Sequence, residues 1–301
     1  MSWKGVNEHG ALKITGTTLT GSRGEAVILR GFSSHGLQWY PKFARKESIA
    51  ATKRAGANVF RAAMYTDEGG YLTNPGIKED VIRAVDDTLA LELYAIIDWH
   101  IMFDNDPLKN ADKASEFFNE MSLRYKDEPG VLYEICNEPN GQKVTWAKNV
   151  KPYAEKIIPV IRANAPESVI LVGSPTWSQD VDIAAANPLK LENIMYTLHF
   201  YAGTHGEALR RKCRKALAMG APIFVSEWGT SRADGSGGVF PKESAVWLDF
   251  LDKLGISWCN WSLGDRDETS AALKPGAPES WSEENLTESG RFVYDRLKGM
   301  K

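Results

Sequence analysis

The chain has 301 residues, with 36 Lys and Arg against 39 Asp and Glu and a formal net charge of −3. Apolar residues make up 43% and charged residues 25%, ordinary values that exclude disordered, collagen-like and coiled-coil classes. The near-balanced charge provides no general field for nucleic acid or an anionic membrane surface, and no apolar run reaches the ~18 residues of a membrane span.

The opening Met-Ser-Trp-Lys lacks a charged segment followed by an apolar one, so no secretory signal is read there. Residues 11–20 predict a small hairpin turning at Thr-Gly. Short apolar runs then recur at 27–33, 58–63, 93–99, 131–137, 168–173, 194–199, 222–227 and 256–261. Continuous runs of this length suit parallel strands covered on both faces. Helical spacing fills intervals between them, at 47–55, 77–92, 111–126 and 241–254, the last entered by Pro241 and left at Gly255. Eight strand–helix units at about 30-residue intervals predict a (β/α)8 TIM barrel with a short N-terminal β-hairpin, one domain over 1–301. The alternative, an open doubly wound sheet, lacks any glycine-rich phosphate-binding turn. Cys136, Cys213 and Cys259 fit neither a redox pair nor a zinc site and are expected as buried thiols.

In such a barrel the carboxyl ends of the strands build the active site. Those positions hold Ser33, Ser34, His35, Arg61, Trp99, His100, Asn137, Glu138, His199, Tyr201, Glu227, Trp228 and Trp261. Glu138 follows the fourth strand and Glu227 ends the seventh, and the two should face each other across the rim. Two carboxyl groups flanking a scissile bond are what glycoside hydrolysis requires. A metal hydrolase would need a close His pair, and no His-x-His or His-Glu-x-x-His is present; no metal and no cofactor are expected. Indole faces suit the apolar faces of pyranose rings. Trp39, Trp177 and Trp261 are candidate platforms, with Tyr65 in the binding set, whereas Trp99 and Trp228 are expected beneath the site and Trp247 and Trp258 in the core.

Six blocks in order carry a resemblance: Arg-Gly-Phe-Ser-Ser-His-Gly-Leu-Gln-Trp (30–39), Asp-Trp-His (98–100), Tyr-Glu-Ile-Cys-Asn-Glu-Pro (133–139), His-Phe-Tyr-Ala-Gly (199–203), Ser-Glu-Trp-Gly (226–229) and Asn-Trp-Ser-Leu (260–263). The chain resembles glycoside hydrolase family 5, and within it the bacterial cellulases. The resemblance implies retaining hydrolysis of β-1,4-glucan, with Glu138 as acid/base and Glu227 as nucleophile. It implies Arg61, His100, Asn137, His199, Tyr201 and Trp261 as surrounding site residues, and His35 and Trp39 as sugar contacts. Arg266 stands where similar cellulases often carry Lys, and Glu268 fits a sugar-hydroxyl acceptor. Arg61 and Tyr201 are expected to favour the charged form of Glu227, and Asn137 to bond the hydroxyl beside the reacting carbon. The long segment 262–286 is expected to wall the groove. A monomer, secreted to reach its polymeric substrate, is the expected form. Mannan or xylan as the polymer, predominant transglycosylation, and a catalytically silent carbohydrate-binding barrel are the alternatives.

Overall fold

The computed structural model describes residues 5–299; residues 1–4, the start of the segment read for a secretory signal, lie outside it. The hairpin forms from β1 (Lys13–Thr15) and β2 (Thr18–Thr20), paired antiparallel with Lys13 opposite Thr20. Its turn uses Gly16 at φ 63°, the left-handed region that glycine enters without steric cost.

Eight parallel strands follow: β3 (Arg30–Ser34), β4 (Val59–Tyr65), β5 (Tyr94–His100), β6 (Val131–Glu134), β7 (Ile170–Val172), β8 (Ile194–Tyr201), β9 (Ile223–Gly229) and β10 (Trp258–Leu263). They close in sequence order, β10 pairing with β3. Around them run α1 (Lys46–Ala55), α2 (Lys78–Ala90), α3 (Ala111–Arg124), α4 (Lys151–Asn164), α5 (Val181–Ala186), α6 (Glu207–Ala218), α7 (Pro241–Leu254) and α8 (Glu288–Lys298). Helix α7 begins on Pro241 and stops at Gly255 with φ 67°. This is the asymmetry expected from a residue without an N–H and a residue without a Cβ.

Strand alternation divides the side chains into two cores. Val59, Tyr94, Ile96, Leu132, Leu171, Met195, Phe224 and Cys259 fill the lower barrel interior, joined by Leu12 and Leu19 from the hairpin region. Their neighbours one residue along face the helices, where Trp99 packs edge-on to Tyr71 at 5.3 Å and Phe200 stacks on Trp247 at 4.0 Å. Trp99, Trp228, Trp247 and Trp258 are all fully buried, and all three cysteines are buried and free. Moving two residues up the inward faces of β4, β5 and β6 leads from Val59, Ile96 and Leu132 to Arg61, Asp98 and Glu134, and two more on β5 to His100; on β8 Met195 is followed by Thr197 and then His199. The polar layer therefore sits directly on an apolar plug.

The segment after β10 differs from the expected groove wall. Ala271, Ala272, Leu273, Ala277 and Trp281 are buried, and Trp281 Nε1 donates to Ser48 Oγ on α1 at 2.8 Å. Only its beginning, with Arg266 and Glu268, reaches the cleft. The remainder has an apolar face of its own and folds back onto the barrel wall.

Candidate active site

A cleft of about 590 Å³ opens at the carboxyl ends of the strands. Twelve of the predicted residues line it: His35, Trp39, Tyr65, His100, Glu138, Trp177, His199, Tyr201, Glu227, Trp261, Arg266 and Glu268. Arg61 and Asn137 do not; both are fully buried beneath it.

Arg61 is the hub of that lower layer. Its guanidinium donates to Glu134 through Nε and Nη2 at 2.7 and 3.1 Å, to Asn137 Oδ1 at 2.6 Å, and to Ser33 Oγ at 3.2 Å. It also reaches Glu227 Oε2 at 3.3 Å and Asp98 Oδ2 at 3.0 Å. A planar fork with five N–H donors can satisfy this many acceptors, and a lysine could not. Burial works to raise Glu134, but Arg61 and then His199 overcome it and hold that carboxyl at about 2. Asp98 goes the other way, pushed well up by burial against the pull of Arg61.

Glu138 and Glu227 face one another with a carboxylate oxygen of each, and a nitrogen of His199, all within 4.8 Å. Their partners differ. Glu227 accepts from Tyr201 Oη at 2.8 Å and from Arg61, whereas Glu138 Oε1 meets His199 Nδ1 at 3.0 Å. Burial first, and then the charge of Glu138, push Glu227 up to about 7, against His199, Arg61 and Tyr201. Arg61 and Tyr201 act in the expected direction, and desolvation together with the like charge outweighs them. This is the His–carboxylate set found with a metal ion's ligand spacing among the described residues. Its atoms already hydrogen-bond one another, Arg61 and Tyr201, an arrangement suited to handling a proton.

His100 is set by donor logic. Asn137 Oδ1 is committed to Arg61, so its Nδ2 faces His100 Nε2 at 3.2 Å as donor. The ring therefore carries its proton on Nδ1 and donates to Asp98 Oδ2 at 2.7 Å. Burial and Arg61 keep it neutral, well below the usual histidine range. The second Asn137 amide hydrogen goes to the Ile101 carbonyl at 3.2 Å, so a sugar hydroxyl would have to share these donors.

Aromatic rings form the walls. Trp261 stacks on His100 at 5.2 Å with planes 20° apart, and His100 in turn on Tyr65 at 4.2 Å. Trp39 stands edge-on to Tyr65 at 5.0 Å and is 42% exposed, so an indole face is available to a ligand. On another loop Trp177, 45% exposed, is held in a left-handed turn: Thr176, Trp177 and Ser178 have φ of 58°, 53° and 54°. Three consecutive non-glycine residues there are costly. Trp177 N–H bonds the Pro139 carbonyl at 3.1 Å, and Ser178 Oγ the Asn137 carbonyl at 2.6 Å. Arg266 pairs with Glu268 at 3.1 Å and lies 3.3 Å from His35 Nε2.

The model of the cellulase family, glycosyl hydrolase family 5, matches residues 20–267. The chain belongs to this family. It is 54% identical over 278 residues to endoglucanase A of Evansella cellulosilytica, covering 91% of this chain and 57% of that protein. It is 51% identical over 294 residues to an endoglucanase of Clostridium saccharobutylicum, covering 96% and 65%. The chain thus spans less than two thirds of the length of these relatives. Among solved structures it resembles cellulase Cel5C_n (TM-score 0.94, 46% identity, 98% of this chain and 94% of that one). It also resembles a variant of the catalytic domain of Thermobifida fusca endoglucanase Cel5A in complex with cellotetraose (TM-score 0.93, 37% identity, 97% and 99%).

In this family-5 chain the cleft also holds residues that sequence reading passed over. Glu68, Met102, Phe103, Gln179, His205 and Asp234 line it from loops, where no periodicity marks a side chain's direction. Asp98, Glu134 and Ser226 support it from below. Asp98 and Glu134 had a readable signal, a charge at an inward position of an otherwise apolar strand. Ser226 did not: the register shift in the β8–β9 pairing lets consecutive Ser226 and Glu227 both reach the interior, which strict alternation forbids.

Proposed function

We propose that this chain is a retaining endo-β-1,4-glucanase domain that cleaves internal bonds of cellulose and related β-glucans, with Glu138 as acid/base and Glu227 as nucleophile. The observation that carries this reading is the opposed, differently partnered carboxyl pair. Its closest oxygens lie within 4.8 Å, near the roughly 5–5.5 Å of retaining enzymes and well short of the roughly 6.5–9.5 Å that leaves room for an inverting water. The endoglucanase relatives and the cellotetraose complex of a structural neighbour support the substrate class.

In the first step Glu227 attacks the anomeric carbon as Glu138 protonates the departing glycosidic oxygen. In the second, Glu138 takes a proton from water, whose oxygen displaces Glu227 from the glycosyl-enzyme. Two donors on Glu227, Arg61 and Tyr201, favour leaving the proton of the pair on Glu138 when the cleft is occupied. Trp39, Trp177 and Trp261 supply stacking faces, and His35, Tyr65, Arg266 and Glu268 polar contacts along the same cleft. We read the chain as one catalytic domain acting as a monomer, and place it outside the cell because its substrate is polymeric. Among the described residues no helix is long and apolar enough to cross a membrane.

The test is a hydrolysis panel on carboxymethyl-cellulose, barley β-glucan, mannan and xylan, with proton NMR of fresh products. Rapid release from the two glucans with the β-anomer appearing first is expected. Preference for mannan or xylan would reassign the polymer, and an initial α signal would overturn retention.

A further inference from the structure

Below the carboxyl pair runs a buried chain of hydrogen bonds that the two-step scheme leaves without a role. Glu134 and Ser226 are fully buried and His199 is 2% exposed. Glu134, gripped by two bonds from Arg61, is an ionised carboxylate and can only accept. Ser226 Oγ lies 2.8 Å from Glu134 Oε1, so its single hydroxyl hydrogen must point there. His199 Nε2 lies 2.9 Å from the same Ser226 oxygen. With that hydrogen already spent, Ser226 can only accept from the ring, and Nε2 must carry a proton. The remaining nitrogen, Nδ1, faces Glu138.

We propose that Ser226 and Glu134 are positioning residues that lock His199 in its Nε2–H form and so reserve Nδ1 for the proton of Glu138. This rests on the reading of Glu138 as acid/base. Nδ1 then holds the one mobile proton of the His199–Glu138 pair: at rest the ring carries it and donates to Glu138, fixing the direction of that carboxyl group, and it shifts to Glu138 as the glycosidic oxygen takes it up. When Glu138 passes that proton to the glycosidic oxygen the ring is left neutral, with its remaining proton on Nε2, and the proton that Glu138 takes from water in the second step restores the pair. No proton passes to Ser226 or Glu134; they hold the far nitrogen in one state throughout the cycle. The groups facing His199 are Glu134, Glu138, Glu227, Asp98 and His100. Burial opposes its charge, yet bonding toward Glu134 and Glu138 raises it to about 9.

The experiment compares wild type, Ser226→Ala and Ser226→Thr. It measures kcat/KM on a cellooligosaccharide and on dinitrophenyl cellobioside, and follows histidine titration by 15N NMR. Ser226→Ala should lower kcat/KM on the oligosaccharide by on the order of tenfold. The aryl substrate, whose leaving group needs no proton, should change less than about twofold. The titration of His199 should move down, and Ser226→Thr, which restores a hydroxyl, should recover both readouts. Equal loss on both substrates, or an unmoved titration, overturns the proposal. Should Ser226→Ala fail to fold, wild type alone decides, because a neutral His199 protonated on Nδ1 at high pH also overturns it. Glu138→Ala is run alongside. If it spares the aryl substrate and azide rescues it while Ser226→Ala loses nothing selectively, the lock fails and the acid/base reading stands. If Glu138→Ala shows no such selectivity, both fall.

Discussion

Glu138 and Glu227 are chemically alike, and their environments alone can give them different tasks. The charge of Glu138 helps push Glu227 up to about 7, and the nucleophile must be ionised before it can attack. The acid limb of kcat/KM should therefore lie near pH 7, activity falling as pH drops through it. Replacing Glu138 by Gln removes the like charge, so on dinitrophenyl cellobioside that limb should move down by about one pH unit. An unmoved limb would mean that burial alone sets it. The two platforms on the same wall should separate by kinetics. Trp261, stacked on His100 beside the reacting pair, should lose mainly kcat on truncation to Ala. Trp39, further out and exposed, should lose kcat/KM by roughly 5- to 30-fold for long oligosaccharides and less for short aryl substrates. If Trp39 only packs its loop, Trp39→Ala will instead lower Tm and leave the long-to-short ratio unchanged.

At the scale of elements, hydrophobic runs and helix punctuation made the barrel legible because the first reports burial and the second local backbone chemistry, neither needing distant partners. Helix α7 matches its expected bounds to the residue, since Pro241 and Gly255 act locally. Helix α4 is harder to read: Pro159 lies inside it, and its helical state comes from packing Ile157, Ile158 and Ile161 on the barrel. The turn at 176–178 has no sequence signal at all, because Thr and Trp are among the residues least suited to positive φ. The hydrogen bonds to the carbonyls of Asn137 and Pro139, on either side of Glu138, hold it there and tie the Trp177 ring to the carboxyl-bearing segment. This reverses a familiar order. Trp177→Gly should be more stable than Trp177→Ala by about 1 kcal/mol, roughly 2 °C in Tm. Both should weaken oligosaccharide binding equally, since both lose the indole. Thermal melts of the two variants decide it; Ala above Gly would show that the strain is not borne at this residue.

For the whole molecule, closure of the barrel gathers charges that are far apart in the chain, which is why Arg61 and Asn137 of the lower layer were legible as strand-end residues while the network that joins Arg61 to Asp98 and Glu134 was not. Arg61 on β4 binds Ser33 on β3, Asp98 on β5, Glu134 on β6 and Glu227 on β9. No spacing along the sequence announces that combination; only the circular order of strands does. Removing the hub leaves buried carboxyl groups without their cation, and breaking such a network costs about 3–5 kcal/mol. The pH dependence of that cost has a definite sign. Glu134 is held at about 2 in the fold, so its pairing stabilises the protein above its unfolded value near 4.5, and the contribution is lost as pH falls toward 2. Arg61→Ala should thus lower Tm most at neutral pH, with the gap to wild type closing on acidification below about pH 4. Arg61→Lys keeps the charge but not the fork, and should fall between the two while losing the bidentate grip on Glu134. A gap that stays constant from pH 7 to pH 3 would show that Arg61 contributes volume rather than charge to the centre of the barrel.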